Sequence, residues 1–332
     1  MKIAVVILNW NGKPFLEKFL PNVIECSAEI AEVIVADNAS TDDSVDFLKQ
    51  HFPTIRLIQN AENGGFSKGY NDALKQIDAD YFVLLNSDIE VTKSWIQPVI
   101  DLMESDPKIA VCQPKIRSYH EREKFEYAGG AGGFIDKFGY PFCRGRIFDT
   151  TEVDTGQYDD VCEIFWATGA AMFVKASIYN EFGGLDEDFF AHMEEIDFCW
   201  RVKNAGYKVM YCPDSTVFHV GGGTLPKSSS RKTYLNFRNN LSLIYKNSSN
   251  RFTVFLMRIF LDDVAALKFL LGGKFGDFVA IYKAYFHFFK MLPKNRKKRK
   301  QQKNISKKLV GLSPFSIVWK YYVKKQKTFD QL

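Results

Sequence analysis

Six cysteines are scattered through 332 residues and none forms a CxxC pair, so spacing offers neither a thiol metal knuckle nor a disulfide framework. No GxGxxG follows the first apolar run, and no GxxxxGK[ST] occurs. The usual fingerprints of dinucleotide and nucleoside-triphosphate loops are therefore missing. The longest apolar stretch, TVFLMRIFLDDVAALKFLL at 253–271, is broken by Arg258, Asp262 and Asp263 and makes a poor membrane span. No Lys/Arg-led, small-residue leader precedes Met1 to Asn9, which run straight into a strand pattern. The expectation is a cytoplasmic chain whose thiols pack as small apolar groups.

What is abundant is aromatic and charged. Thirty phenylalanines stand out in an otherwise ordinary composition. The net charge of +5 hides an asymmetry: residues 1–230 carry 21 basic and 35 acidic side chains, residues 231–332 carry 23 and 4. An acidic body at 1–230 with a basic, Phe-rich helical extension at 231–332 follows, and the extension should attract anionic surfaces. KIAVVILN, EVIVAD, IRLIQ and DYFVLLN read as buried parallel strands, separated by helical stretches at about 13–27, 42–51 and 66–77. Strand–helix alternation predicts an α/β fold with a mostly parallel central sheet and a ligand beyond the carboxyl ends of its strands. Asn9, Asn11, Asp37 and the run 86–88 lie at those ends. Between about 115 and 160 glycines punctuate short aromatic pieces, predicting a loop-rich insertion. A helix at about 193–205, a strand pair at 207–211 and 216–220, and helices at roughly 231–247, 251–271 and 276–292 complete the reading.

Several stretches carry chemistry. In IVADNASTDDS, Asp37 ends a strand where a carboxylate can accept hydrogen bonds from a base or ribose, while Ser40 or Thr41 caps the next helix and Asp42 and Asp43 favour its positive end. NGGFSKGYN places Gly64 and Gly65 where backbone N–H groups could face a phosphate, although a plain turn reads the same way. LLNSDIEV ends a strand in Asn86, Ser87 and Asp88; a lone acid there suits a hard divalent cation. His219, before three glycines, could complete that shell or be structural. HMEEIDFCWR sets Glu194, Glu195 and Asp197 at a helix start. Adjacency and partial burial against Phe190 and Trp200 can raise one of these carboxyls into general-base range. Glu194 and Asp197 share a helix face that could be anchored to backbone or acceptor hydroxyls, leaving Glu195 free. Trp166 and Phe190 could offer a sugar an apolar face or be core.

VVILNWNG, IVADNASTDDS, NGGFSKGYN, LLNSDIEV, WATGAAMFVK, FGGLDEDFFAHMEEIDFCWR and FHVGGGT occur in that order over about residues 1–245. This sequence resembles the family 2 glycosyltransferases of GT-A fold, particularly their bacterial rhamnosyltransferase-like branch, which builds cell-surface polysaccharide. The resemblance implies nucleotide binding by Asn9, Asp37, Asn71 and the Gly-rich loop, with Asn86 orienting the diphosphate. It implies a divalent metal, Mg2+ or Mn2+, on Asp88 and His219, and Glu195 as the base of an inverting transfer. The implied partners are a nucleotide diphosphate sugar donor, for which the branch resemblance suggests dTDP-rhamnose, and a glycan or lipid-linked acceptor at the inner face of the plasma membrane. The basic extension would lie peripherally on that anionic surface, its run at 294–308 at the headgroups. Two positions depart from the family pattern: Asp-x-Asp reads Asn86-Ser87-Asp88, and Glu-Asp reads Glu194-Glu195. The rivals are a Rossmann-type oxidoreductase, disfavoured by the missing GxGxxG, and a non-catalytic carbohydrate- or nucleotide-binding protein. Nucleic acid is not expected beside the acids at 194, 195 and 197.

Overall fold

The computed structural model describes residues 1–221, 229–302 and 304–332. Strands β1 (Ile3–Asn9), β2 (Glu32–Asp37), β3 (Arg56–Gln59) and β4 (Tyr81–Asn86) alternate with helices α1 (Lys13–Ser27), α2 (Ser44–His51) and α3 (Gly65–Leu74). β1 pairs in parallel with both β2 and β4, setting Asn9 opposite Asp37 and Leu8 opposite Asn86. Three polar strand ends thus meet at one edge. The strands are apolar throughout because helices cover both faces: Ala4 and Val6 pack with Tyr70 and Leu74, Val5 and Ile7 with Leu16 and Leu20.

The chain continues through β5 (Ile89–Val91), α4 (Gln97–Ser105) and β6 (Ile109–Ser118) into β7 (Gly133–Asp136), β8 (Pro141–Cys143), β9 (Arg146–Ile147) and β10 (Thr150–Thr151). Then come β11 (Cys162–Glu163), β12 (Ala171–Lys175), α5 (Ala176–Glu181), α6 (Glu194–Asn204) and β13 (Lys208–His219). Among the described residues the main sheet runs β11-β13-β6-β12-β4-β1-β2-β3, with β5 on β13. The predicted strand pair is one strand. β13 stays parallel to β6 on both sides of a register shift between Cys212 and Thr216, so the chain bulges there instead of reversing. The loop-rich stretch contains a second small sheet, whose strands of two to four residues are too short to show a period.

Three helices follow: α7 (Ser230–Asn247), α8 (Arg251–Leu271) and α9 (Phe275–Gln301), then β14 (Leu312–Ser313), which pairs with β7. α9 runs well past 292 and takes in much of the basic run. Arg299 donates to the carbonyls of Tyr245, Lys246 and Ser248 at 2.9 Å each, closing the C-terminal end of α7. Lys294 and Lys298 pair with Asp188, and Lys298 also with Asp186. Three of the nine basic residues in the run at 294–308 thus make internal contacts; Lys303 lies outside the described residues.

In α8, Arg258 and Asp262 form a buried pair, with Tyr140 and Tyr285 donating to Asp262 at 2.9 and 2.8 Å. Asp262→Asn should cost about 3–5 kcal/mol in urea unfolding, since it strands a buried guanidinium; the apolar double variant Arg258→Met/Asp262→Leu should recover most of that loss.

Candidate active site

Asn86 ends β4, Asp88 follows it, and His219 ends β13. The register that joins β13 to β5 brings the three together. His219 Nε2 lies 3.2 Å from Asp88 Oδ1 and 3.4 Å from Asn86 Nδ2. Asp88 Oδ2 accepts the N–H of Gly221 at 3.2 Å. Behind the imidazole, Glu126 Oε2 stands 3.4 Å from Nδ1, in ionic contact but without hydrogen-bond alignment. Burial disfavours the imidazolium, yet Glu126 and Asp88 outweigh it and lift His219 to about 10. Burial likewise pushes Asp88 and Glu126 up, and His219 reverses both, leaving each below the ordinary carboxylate range.

This corner fits a divalent cation. Two adjacent ligands on an octahedral ion sit about 3 Å apart, close to the Asp88–His219 separation. A carboxylate behind a ligating histidine is the arrangement that orients and strengthens such a ligand. Among the described residues no group of three His, Cys, Asp or Glu side chains is placed to hold a metal ion. Gly222 and Gly223, expected to leave room for phosphate, lie outside the described residues.

Along the strand ends, Asn9 donates to Asp37 Oδ1 at 3.1 Å and to Ser40 Oγ at 3.2 Å, and Ser40 N–H donates to Asp37 Oδ2 at 2.9 Å. Asn9 Oδ1 is buried without a partner. Asn11 and Ala39, both at positive φ, hold the two loops together as Thr41 N–H donates to Asn11 Oδ1 at 2.7 Å. Neither Ser40 nor Thr41 caps α2; Asp42 accepts the Ser44 N–H at 3.1 Å instead.

The Gly-rich loop differs from expectation. Its helix-start N–H groups do not face outward: Phe66 N–H donates to the Phe190 carbonyl at 2.7 Å, and Gly65 N–H to Asn63 Oδ1 at 2.9 Å. Gly65, at φ 80°, is glycine because a Cβ would stand 2.5 Å from the Phe190 carbonyl oxygen. A Cβ on Gly64 would stand 2.5 Å from Lys68 Cδ and 2.7 Å from its Cβ. Asn71 is also spent internally. It donates to Leu185 O and Glu187 Oε1 at 2.9 and 3.0 Å and accepts from Leu185 N–H and the Tyr179 hydroxyl at 3.0 and 2.7 Å. With both ends of its amide engaged, it joins α3 to the turn at 185–187 and has no free donor for a nucleotide.

That turn leads into a strained loop. Phe190, His192 and Met193 have φ of 66°, 70° and 74°, a region these bulky side chains rarely enter. Asn239 on α7 holds it, its amide donating to the carbonyls of Phe189, Ala191 and His192 at 3.0, 2.9 and 2.8 Å. Arg238 beside it donates to Asp188 O and Phe189 O at 3.0 and 2.9 Å. Glu194 and Glu195 open α6 directly after the loop. Burial and then the Glu195 charge push Glu194 well above the usual range. Burial, opposed by the N–H groups of Glu195 and Ile196, brings Glu195 to about 7. Each keeps one oxygen, Oε2, without a partner. The fully buried Asp197 reaches no acceptor; it is held by Lys246 at 2.8 Å, Asn247 at 2.7 Å and Arg201 at 2.9 Å. Trp166 is core as well, 4% exposed, with its indole N–H donating to Phe134 O at 2.9 Å and its ring filling the space a Cβ on Gly133 would need.

Residues 4–165 match the family described as Glycosyl transferase family 2. The chain carries a family 2 glycosyltransferase domain. It is 25% identical over 232 residues to the N-acetylglucosaminyl-diphospho-decaprenol L-rhamnosyltransferase of Mycobacterium tuberculosis, covering 65% of this chain and 75% of that one. Among solved structures it is similar to GalNAc-T7 with UDP, GalNAc and Mn2+, at TM-score 0.59 and 16% identity over 76% of this chain; it spans about half (49%) of that chain. A mannosyltransferase from Pyrobaculum calidifontis with GDP-Man and Mn2+ gives TM-score 0.53 and 14% identity over 91% of this chain and 84% of that one. The fold is GT-A, with helices added at the C-terminus.

Sequence reasoning about this glycosyltransferase missed Glu126, hidden in the stretch set aside as loop, and Arg238 and Asn239, which lie beyond the last motif used. The run RNN at 238–240 inside an amphipathic helix was a usable signal, since polar side chains on a packed helix must find partners. Asn239→Leu should orphan the carbonyls of Ala191 and His192, while that of Phe189 keeps Arg238 and the Ala191 N–H. We expect a stability loss of about 1–3 kcal/mol in urea unfolding and a larger relative loss of turnover than of nucleotide affinity, read from initial rates and calorimetry.

Proposed function

We propose that the glycosyltransferase moves a sugar, with inversion, from a nucleotide diphosphate donor to a hydroxyl of a lipid-linked glycan in cell-surface polysaccharide synthesis. The observation that carries this reading is the buried Glu195 carboxyl, with one oxygen unpartnered and a pKa of about 7. A group so tuned can hold and release a proton near neutrality. Glu195 takes the acceptor hydroxyl proton as the new bond forms between that oxygen and the donor's anomeric carbon. The bond from that carbon to the phosphate oxygen breaks, and the nucleoside diphosphate departs with its electron pair.

Asp88 and His219 would hold Mg2+ or Mn2+, whose charge offsets that of the leaving diphosphate. Asn86 orients the diphosphate beside them. Asn9 and Asp37 order the loops that receive the nucleoside, where spare lone pairs on Asp37 can still accept from base or ribose. Gly65 and Asn71 act by fixing the loop that carries Glu195. Residues 1–230 form the catalytic part, and residues 231–332 brace it through α7 and α9. The relative's printed name, a rhamnosyl transfer to a diphospho-lipid, makes dTDP-rhamnose and a polyprenyl-diphosphate sugar the first pair to assay. The reading places the protein at the cytoplasmic face of a membrane.

Asp88→Asn should abolish transfer and metal-linked nucleotide binding with the fold intact by circular dichroism, whereas full activity of the wild type in EDTA would refute the metal assignment. Glu195→Gln should lower turnover by a factor on the order of 10²–10⁴ while nucleotide binding survives. The same variant has a stability signature. Between the ordinary 4.5 and about 7 the native Glu195 keeps a proton that the unfolded chain releases, so stability falls as pH rises through that window. Glu195→Gln should therefore melt higher than wild type at pH 8 and alike at pH 4. Wild-type kcat/KM should rise with pH through an acid limb near 7, and a flat profile there would point away from Glu195.

A further inference from the structure

Helix α8 is inverted relative to a water-facing helix. Its buried positions, Val254, Arg258, Asp262 and Ala266, recur every four residues, and the two charged side chains are only 2% and 1% exposed. Arg258 and Asp262 pair with each other, and Tyr140 and Tyr285 donate to Asp262, so the charges that interrupt the apolar run point inward. The outward positions are Phe252, Leu256, Phe260, Val264, Leu267 and Leu271, between 53% and 80% exposed. α9 repeats the pattern, with Phe275, Val279, Tyr282, Phe286 and Phe289 exposed at intervals of three or four residues. The hairpin between them turns at Gly272 and Gly273, so Leu270, Leu271 and Phe275 crowd its tip between the exposed Lys268 and Lys274. Large apolar side chains exposed in register along two packed helices of a folded protein mark a binding surface.

Charge selects the occupant. Among the described residues from 251 to 292, the exposed charges are Lys268, Lys274, Lys283 and Lys290 against the single acid Asp263. A second copy of the chain would set these lysines against one another, whereas an anionic bilayer offers both hydrocarbon and negative headgroups. Among the described residues no helix is long and apolar enough to cross a membrane. We propose that the α8–α9 hairpin is a membrane foot, lying flat in the headgroup layer of an anionic bilayer with Leu270, Leu271 and Phe275 inserted and Lys268 and Lys274 at the phosphates. The foot rests on the lipid-linked reading of function for its purpose, though not for the observations behind it. It relocates the contact from the basic run at 294–308 to the apolar hairpin that precedes it. The other end of α9 carries Lys298 to Asp186 and Asp188 on the strained loop, about 35 Å along the helix axis from Phe275. One continuous helix, with Pro293 inside it, therefore links the hairpin tip to the turn before the segment that positions Glu195.

The test is flotation of the full chain with phosphatidylcholine vesicles containing about 30% phosphatidylglycerol. The wild type should co-float at low salt and lose part of its binding as salt rises. The double variants Leu271→Ser/Phe275→Ser and Lys268→Glu/Lys274→Glu should each lower the bound fraction on the order of tenfold, while keeping the wild-type thermal shift with dTDP and Mn2+. Absence of wild-type flotation at low salt, or flotation of both variants equal to wild type, overturns the proposal. So does a wild type that ignores vesicles and dimerises through this face, with the tip variants monomeric in sedimentation. If the wild type floats but gives no shift with any nucleoside diphosphate, the foot stands and the proposed transfer falls.

Discussion

Three backbone carbonyls converging on one asparagine amide hold the active site in shape. Phe190, His192 and Met193 are bulky residues in a conformation costing on the order of 1–3 kcal/mol each, and it persists only because its surroundings over-determine it. Asn239 supplies hydrogen bonds on one side. On the other, the Phe190 carbonyl accepts from the N–H groups of Phe66 and Ser67 and so plugs the positive end of α3. The helix start that sequence alone assigned to phosphate is thus occupied by the loop that presents Glu195. The Gly-rich loop and the loop before Glu195, the proposed proton acceptor, are thus joined through the Phe190 carbonyl and through Asn71.

Around this clamp the opposed charges of the two parts of the chain find each other. Asp186 and Asp197 share Lys246, and Asp186 and Asp188 share Lys298. Burial would push Asp186 up, but the two lysines bring it well below the carboxylate range. The acidic body and basic extension, which look in the sequence like a catalyst with a separate tail, are in this region complementary halves of one buried network. Removing either partner would leave an uncompensated buried charge.

Legibility in the sequence followed burial and length. β1, β2, β4 and α1 were readable nearly to the residue because continuous apolar runs and 3.6-residue periods are strong signals. The small sheet was not, since β9 and β10 span two residues each, too few to show a period, and β7 finds its outer partner β14 some 175 residues on. At the site, the convergence of Asn86, Asp88 and His219 followed from strand ends. Asn71 and Asp197 were harder, because an internally satisfied polar side chain and a ligand-binding one have the same letters; only partners distinguish them. The orientation of Arg258 and Asp262 reversed the expected meaning of charge in an apolar helix.

The smaller sheet carries a consequence for biosynthesis. β14 pairs with β7, Ile135 N–H donates to Gly311 O, and Ile317 N–H reaches the buried Asp136 at 2.9 Å, while Phe329 lies against Phe134 with ring centroids 4.8 Å apart. These partners are separated by some 175 to 195 residues of chain. At roughly 5–20 residues added per second, the ribosome delivers the covering segment many seconds after β7 has emerged. Throughout that interval the nascent chain exposes an unpaired strand edge and the apolar flank of Phe134 and Phe142. Only when residues 311–329 arrive can β14 pair with β7 and Phe329 cover Phe134.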